Sequence, residues 1–349
     1  MSLALVTGAP GWLGTRLVRA LAEGLPDVAR FADVPPREIR VLAHPSADTS
    51  ALEAIRGSVT IVRGDVCEPS SLTPLFGMGA GATLFHAAGV IHPTRGIREL
   101  HRVNEEGTRN LVDAAARAGV HRFVHVSSNS PIGTNPRPDH VFDEEAPYAP
   151  YLSYGRSKQR AEQIVNAAGE AGVLETVIVR PPWFYGPDQP ERQSRFFRMV
   201  RDGKAPIVGS GENRRSMAYV DNICQGLLLC EAVPGAKGRT YWIADARPYP
   251  MNEIVDTIEA VMEQDFQIRV AHTRRRLPGL ASEVALAFDK LIQGLGLYVP
   301  EIHVLSEMNK TIACSIERAR RELGYDPKVE LREGVRRSIR WMLDRGEEL

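Results

Sequence analysis

The chain has 349 residues, with 43 basic and 43 acidic side chains and therefore no formal net charge near neutrality. That balance gives no sign of a nucleic-acid or acidic-membrane partner, and 43% hydrophobic residues is ordinary for one large or two modest globular domains. Cys67, Cys224, Cys230 and Cys314 show no CxxC or other metal-ligand spacing, so no metal is expected and a reducing, cytoplasmic setting is the default.

No signal peptide is expected, because Met1-Ser2-Leu3 runs directly into Ala4-Leu5-Val6. Residues 3–6 read as a doubly covered parallel strand, and 15–25 as the helix that follows. Between them lies Thr7-Gly8-Ala9-Pro10-Gly11-Trp12-Leu13-Gly14. Glycines at this spacing permit a tight turn, close approach to a pyrophosphate and close helix–strand packing. An anion would sit at the free N–H groups of the helix start. The second strand, 39–43, ends in His44-Pro45-Ser46 where an NAD site would carry Asp or Glu. Nothing there repels a 2′-phosphate and no arginine attracts one, so NAD and NADP both stay open. Strand 59–63 leads to Gly64-Asp65-Val66, where Asp65 is equally a partner for an adenine amino group or a cap for the segment from Pro69.

Strand 82–85 opens into His86-Ala87-Ala88-Gly89, whose small residues let the chain pass beneath a cofactor. His86 reads as packed or capping. Residues 99–118, with Asn104, are helical, and strand 122–126 ends in Ser127-Ser128-Asn129. A long amphipathic helix then runs from Tyr154 to about 171, and on it Tyr154 and Lys158 share one face. An ammonium beside a phenol favours the phenolate, which suits proton transfer to a substrate oxygen. The repeated alternation of strand and helix predicts an α/β fold, a parallel sheet wound on both faces.

These ordered motifs, Thr-Gly-x-x-Gly-x-x-Gly, Gly64-Asp65-Val66, His86-Ala87-Ala88, Ser127-Ser128 and Tyr154-x-x-x-Lys158, resemble those of the extended short-chain dehydrogenases/reductases over essentially the whole chain. The resemblance implies a Rossmann domain at 1–180 that binds NAD or NADP, and a smaller substrate region at 181–349, some of whose segments return to the sheet. It implies Tyr154 as acid/base, Lys158 lowering its pKa and holding the ribose, and Ser128 as the hydroxyl, chosen over Ser127 by counting back from Gly133. Cofactor contacts are implied at Gly8, Pro10, Gly11, Trp12, Leu13, Gly14, His44, Asp65, Val66, Ala87, Ala88, Gly89, Asn104 and Pro181. A homodimer through the 99–118 and 154–171 helices is a further implication.

Strand 175–180 precedes Pro181-Pro182-Trp183-Phe184-Tyr185-Gly186-Pro187, a rigid aromatic segment that the resemblance assigns as a wall for the nicotinamide and the substrate, with a plain core turn as the alternative. A helix at 194–202, strands at 205–208 and 240–243, and helices at 223–231 and 251–263 follow. Arg215 matches a diphosphate-binding arginine of nucleotide-sugar enzymes, and an exposed arginine without a ligand is the alternative. The remainder is mainly helical, with surface helices at 316–323 and 335–343. Arg274-Arg275-Arg276 and the apolar stretch behind them suit a lid, a peripheral membrane contact or a packing helix, but no transmembrane span, since Glu283, Asp289 and Lys290 interrupt it.

The segments Arg180-Pro181, Tyr185-Gly186-Pro187 and Tyr219-Val220-Asp221-Asn222 are most similar to the 3β-hydroxysteroid and sterol-4-carboxylate dehydrogenase branch. The expected activity is alcohol–ketone interconversion on an apolar substrate, with Ser128, Asn129, Trp183, Phe184 and Arg215 as substrate contacts. A nucleotide-sugar 4-epimerase with tightly held NAD is the alternative, weakened by Trp183 where those enzymes carry asparagine. A dehydratase is disfavoured by Asn129-Ser130 in place of Asp-Glu. A non-catalytic cofactor-sensing protein ranks lower still, because the chain keeps both Tyr154 and Lys158.

Overall fold

The computed structural model describes residues 3–77 and 79–349. Its strands, in chain order, are Leu3–Thr7 (β1), Glu38–Ala43 (β2), Ser58–Arg63 (β3), Thr83–His86 (β4), Arg122–Val126 (β5) and Glu175–Arg180 (β6). Then come Trp183–Tyr185 (β7), Pro206–Val208 (β8), Arg214–Tyr219 (β9), Arg239–Trp242 (β10), Pro248–Pro250 (β11) and Arg275–Leu277 (β12). The main sheet is parallel, in the order β10-β6-β5-β4-β1-β2-β3. Chain order reverses between β1 and β4, the crevice where doubly wound folds hold ligands. The architecture is the Rossmann-type α/β arrangement expected from the strand–helix alternation.

Helix packing explains why the central strands are apolar along their length. The Trp12–Glu23 helix buries Leu13, Leu17, Val18 and Leu21, sharing one core with Val6, Val41 and Phe85. Each such side chain contributes about 1.5–3 kcal/mol on full burial, an upper figure because the unfolded chain is already partly compact. Helix Val220–Ala232 adds Ile223, Leu227 and Leu228 to this core, and β10 closes the sheet beside β6. A second core lies among helices Glu191–Arg201, Met251–Phe266 and Leu331–Asp344, around Phe197, Met217, Ile254, Ile258 and Ile339.

The structure departs from the sequence reading in three elements. The single helix expected at 99–118 is Arg98–Leu100, a π-helical turn His101–Glu106 and Gly107–Arg117. The 181–187 segment is not only a turn: β7 pairs with β9 through Trp183 and Met217, Phe184 and Ala218, Tyr185 and Tyr219. Residues 275–277 form β12 against β8 rather than helix. In the latter two cases the strand partner lies far away in the chain, where local periodicity carries no signal. Among the described residues no helix is long and apolar enough to cross a membrane.

Candidate active site

The crevice between β1 and β4 is formed by backbone in close contact. Gly8 has φ 90, and a Cβ on it would lie 2.3 Å from the carbonyl carbon of Ala87. Only glycine accepts both the conformation and the proximity. Ala88 and Gly89 continue the floor, and Gly14 sits under Gly8 with Gly11 exposed at the turn apex. The Trp12–Glu23 helix has no side-chain cap and no acidic residue in its first turn. Its free N–H groups and dipole suit a pyrophosphate, so the residues present fit the diphosphate of a dinucleotide. Pro10 is half-buried in the turn, whereas the Leu13 side chain belongs to the core. Trp12 donates from Nε1 to Pro187 O at 2.6 Å and lies 5.0 Å from the Phe184 ring, tying the turn to the aromatic segment.

At the end of β2, the exposed His44 bonds Ser46 through Nδ1. The Asp65 carboxylate accepts from Cys67 N at 2.9 Å, so it closes its own turn, and its other oxygen faces His44 and Arg102 at 3.9 Å each. Val66 is buried under Gly107. The sequence reading found no arginine here, but the fold supplies one. Arg63, from the end of β3, donates to the carbonyls of His44 and Ala47 and to the Thr49 hydroxyl. His44→Asp is expected to shift cofactor preference toward NAD, since a carboxylate would repel a 2′-phosphate. Titration of both cofactors against the two proteins measures the ratio; an unchanged ratio would put the ribose elsewhere.

Asn104, within the π-helical turn, is buried and fully engaged. It accepts from Val90 N at 2.7 Å and donates to Val90 O at 2.9 Å and Ser157 Oγ at 3.0 Å. It therefore fastens the loop after β4 to helix Leu152–Glu170, which carries Tyr154 and Lys158. Gly155 lets that helix approach closely: a Cβ there would lie 2.5 Å from Ser130 O. The contact brings Tyr154 to the Ser127–Asn129 loop. Ser128 accepts from Ser130 N at 3.1 Å, and its hydroxyl favours the ionised Tyr154 phenol. Burial nonetheless holds that phenol above its ordinary value.

Lys158 follows Tyr154 by one helical turn. It is buried, donates to Val126 O at 2.7 Å and lies 3.4 Å from His125 Nε2. Burial pushes its pKa down to about 8, against the opposing pull of Glu162. His86 neighbours this group, its ring 5.2 Å from that of His125. Thr108 gives its proton to Asn104 O at 2.6 Å, so His86 donates to Thr108 from Nε2 and accepts from Thr7 at Nδ1. It is a packed residue, held to about 3 by burial and by Lys158.

Keeping an ammonium at Lys158 costs stability. The folded protein releases this proton near pH 8, the unfolded chain only near 10.5, so stability rises with pH across that window. Lys158→Met is expected to be more stable than wild type near neutral pH, with the gap closing toward pH 10.5. Urea midpoints near neutrality and at about pH 9.5 check this.

The predicted substrate contacts are distributed unevenly. Asn129 is half-buried and opens the 129–133 turn, accepting from Ile132 N and Gly133 N through its main-chain oxygen. Pro181 is buried. Trp183 stacks edge-on against Phe196 at 5.7 Å, while Phe184 faces Trp12. Arg215 is not exposed: it is buried on β9 and donates to Glu307 O, while its Nε is buried without a partner among the described residues. Arg214 binds the carbonyls of Pro138 and His140.

Residues 4–244 match the family described as the NAD dependent epimerase/dehydratase family. The chain belongs to that family. It is 48% identical over 346 residues to the uncharacterized protein y4nL of Sinorhizobium fredii, covering 99% of this chain and 96% of that one. A 2-alkyl-3-oxoalkanoate reductase of Stenotrophomonas maltophilia is 29% identical over 95% of this chain and 97% of that protein. A 3-beta-hydroxysteroid dehydrogenase of Mycolicibacterium neoaurum is 31% identical, with 93% and 86% covered. Among solved structures, DesIV, the dTDP-glucose 4,6-dehydratase of Streptomyces venezuelae with NAD bound, superposes with TM-score 0.75 at 25% identity, covering 99% and 98%.

Within the epimerase/dehydratase family this chain is an NAD(P)-dependent enzyme of the short-chain dehydrogenase/reductase type, similar to the 3β-hydroxysteroid dehydrogenases. Sequence reasoning missed residues that the fold brings to its site. His125 sits against Lys158, and its only signal was a polar side chain in an otherwise apolar strand interior. Arg192 and Glu307 act on the Tyr154 phenol in opposite senses, and no local pattern connected them to it.

Proposed function

We propose that this enzyme interconverts a secondary alcohol and a ketone on an apolar, steroid-like or lipid-like substrate, with Tyr154 as acid/base. The observation carrying this reading is that the Ser128 hydroxyl meets the Tyr154 phenol on the helix that also holds the buried Lys158 ammonium against Val126 O. When bound, the nicotinamide accepts or gives the hydride. Tyr154 moves the proton at the substrate oxygen, and Ser128 orients that oxygen by a hydrogen bond. Lys158, held on Val126 O, would hold the ribose hydroxyls through its N–H groups and positive charge. With the cofactor seated, water is excluded from the phenol, and nearby positive charge counters the burial that raises its pKa.

Trp12, Trp183 and Phe184 supply apolar wall and few polar groups, which favours alicyclic or long-chain substrates. Relatives named for steroid and 3-oxoalkanoate chemistry support the same class. The nucleotide-sugar epimerase reading is weaker because Arg215, its expected diphosphate ligand, is buried and engaged with Glu307 O. A homodimer is proposed through helices Gly107–Arg117 and Leu152–Glu170, which lie side by side.

A panel of sterols, hydroxy acids and UDP-sugars, followed by nicotinamide absorbance and sugar product analysis, tests the substrate class. Net cofactor reduction with a hydroxysteroid or long-chain alcohol is the expected result. C4 epimerisation of a UDP-sugar without net cofactor change would overturn it.

A further inference from the structure

Helices Leu280–Gly294 and Pro300–Glu307 pack together as a hairpin whose polarity is inverted. Its inward face is polar: Ser282, Asp289 and Gln293 are buried, Asp289 binds His303 Nδ1 at 2.8 Å, and Gln293 accepts from Ser153 N at 3.0 Å. Its outward face is apolar. Leu280, Val284, Phe288, Leu291 and Leu295 are 70%, 47%, 56%, 62% and 72% exposed. Spacings of four, four, three and four residues align them in one stripe along the helix. Leu297 and Val304 widen it. A contiguous exposed patch of large aliphatic and aromatic side chains marks an interaction surface.

We propose that this hairpin docks on an anionic lipid bilayer, with the stripe seated at the headgroup–acyl boundary. The rim supplies the charge argument. Arg275 and Arg276 precede the helix, Lys290 lies beside the stripe, and Arg95 is brought to it by Gly96, which packs on Gly296. All four are exposed, and Arg95, Arg275 and Lys290 have no ion-pair partner among the described residues. Of the nearby carboxylates, Glu283 is bound to Lys310 and Glu99 accepts from the main-chain N–H groups of Thr94 and Arg95, leaving Glu301 as an exposed counterweight. A stripe of this kind with a net basic rim matches an interfacial helix. A second copy of the chain on the same stripe would bring like-charged rims together, which opposes that pairing. Docking would set the bilayer against the hairpin whose inner face touches the first turn of the Tyr154 helix, but its test is independent of the substrate.

Full-length protein is floated with phosphatidylcholine vesicles and with vesicles of equal phosphatidylcholine and phosphatidylglycerol. Flotation with the mixed vesicles, its weakening by salt and its loss in the double variant Phe288→Glu/Leu291→Glu are expected. Arg275→Gln should weaken binding about fivefold, the loss associated with one basic residue near an anionic surface. In otherwise wild-type protein, Val284→Trp should show a blue-shifted emission on adding the mixed vesicles. Absence of both flotation and the emission shift would overturn the proposal. So would undiminished flotation of the double variant. Without vesicle binding, dissociation of an oligomer by Phe288→Glu/Leu291→Glu in sedimentation would assign the stripe to a second copy instead.

Discussion

Replacing Tyr154 with Phe is expected to lower turnover by roughly 10²–10⁴-fold, the range supplied by a positioned acid or base. The phenol oxygen is the only atom removed, so packing of helix Leu152–Glu170 should survive. Cofactor affinity should change little, because the charge assigned to the ribose is that of Lys158. Single-turnover measurements with saturating cofactor, beside equilibrium cofactor titration, separate the two quantities. Near-normal turnover on the true substrate would remove Tyr154 from the proposed role. A large loss of cofactor binding would instead mean that the phenol organises the crevice.

Glu162→Leu is expected to destabilise the protein by about 3–5 kcal/mol, the usual cost of leaving one member of a buried ion pair alone. Glu162 and Arg180 have side-chain exposures of 0% and 5%, unlike the surface pairs whose removal is near neutral. Glu162 accepts from Arg180 at 3.0 and 2.6 Å and from the Tyr148 hydroxyl at 2.8 Å. The guanidinium also faces the Tyr148 and Trp242 rings, at 5.6 and 5.7 Å. This pair joins the helix bearing Tyr154 and Lys158 to β6, just before Pro181. Its loss should lower the urea midpoint at unchanged slope, and Glu162→Leu combined with Arg180→Met should recover much of the deficit. A double variant no more stable than the single one would show that packing, not the stranded charge, sets the cost. Because Glu162 opposes the fall in the Lys158 pKa, Glu162→Gln should also lower that pKa further.

Local pattern sufficed for the main sheet of this protein. Strands 3–6, 39–43, 59–63, 82–85, 122–126 and 175–180 appear within about a residue or two of their expected bounds, because a doubly covered strand must be apolar and the glycine turn ends the first one. The same applies to the crevice at Gly8 and Ala87, where a Cβ has no room, and to Tyr154 on the helix beside it. Side-chain direction was a different matter. Spacing put Lys158 and Tyr154 on one face, but could not show that the buried ammonium takes Val126 O as its acceptor with His125 beside it. Arg215 read as a diphosphate ligand or as an exposed arginine without one, and only the packing of β9 against the Pro300–Glu307 helix shows it buried on a main-chain oxygen. Composition gave zero net charge, an average that conceals the basic rim assembled from residues near 95, 275 and 290. Periodicity marks which face of the Leu280–Gly294 helix is apolar, but not which way it turns. Only the tertiary structure decides that, because Asp289 and Gln293 find buried partners in His303 and Ser153, and satisfying them leaves the apolar stripe facing out.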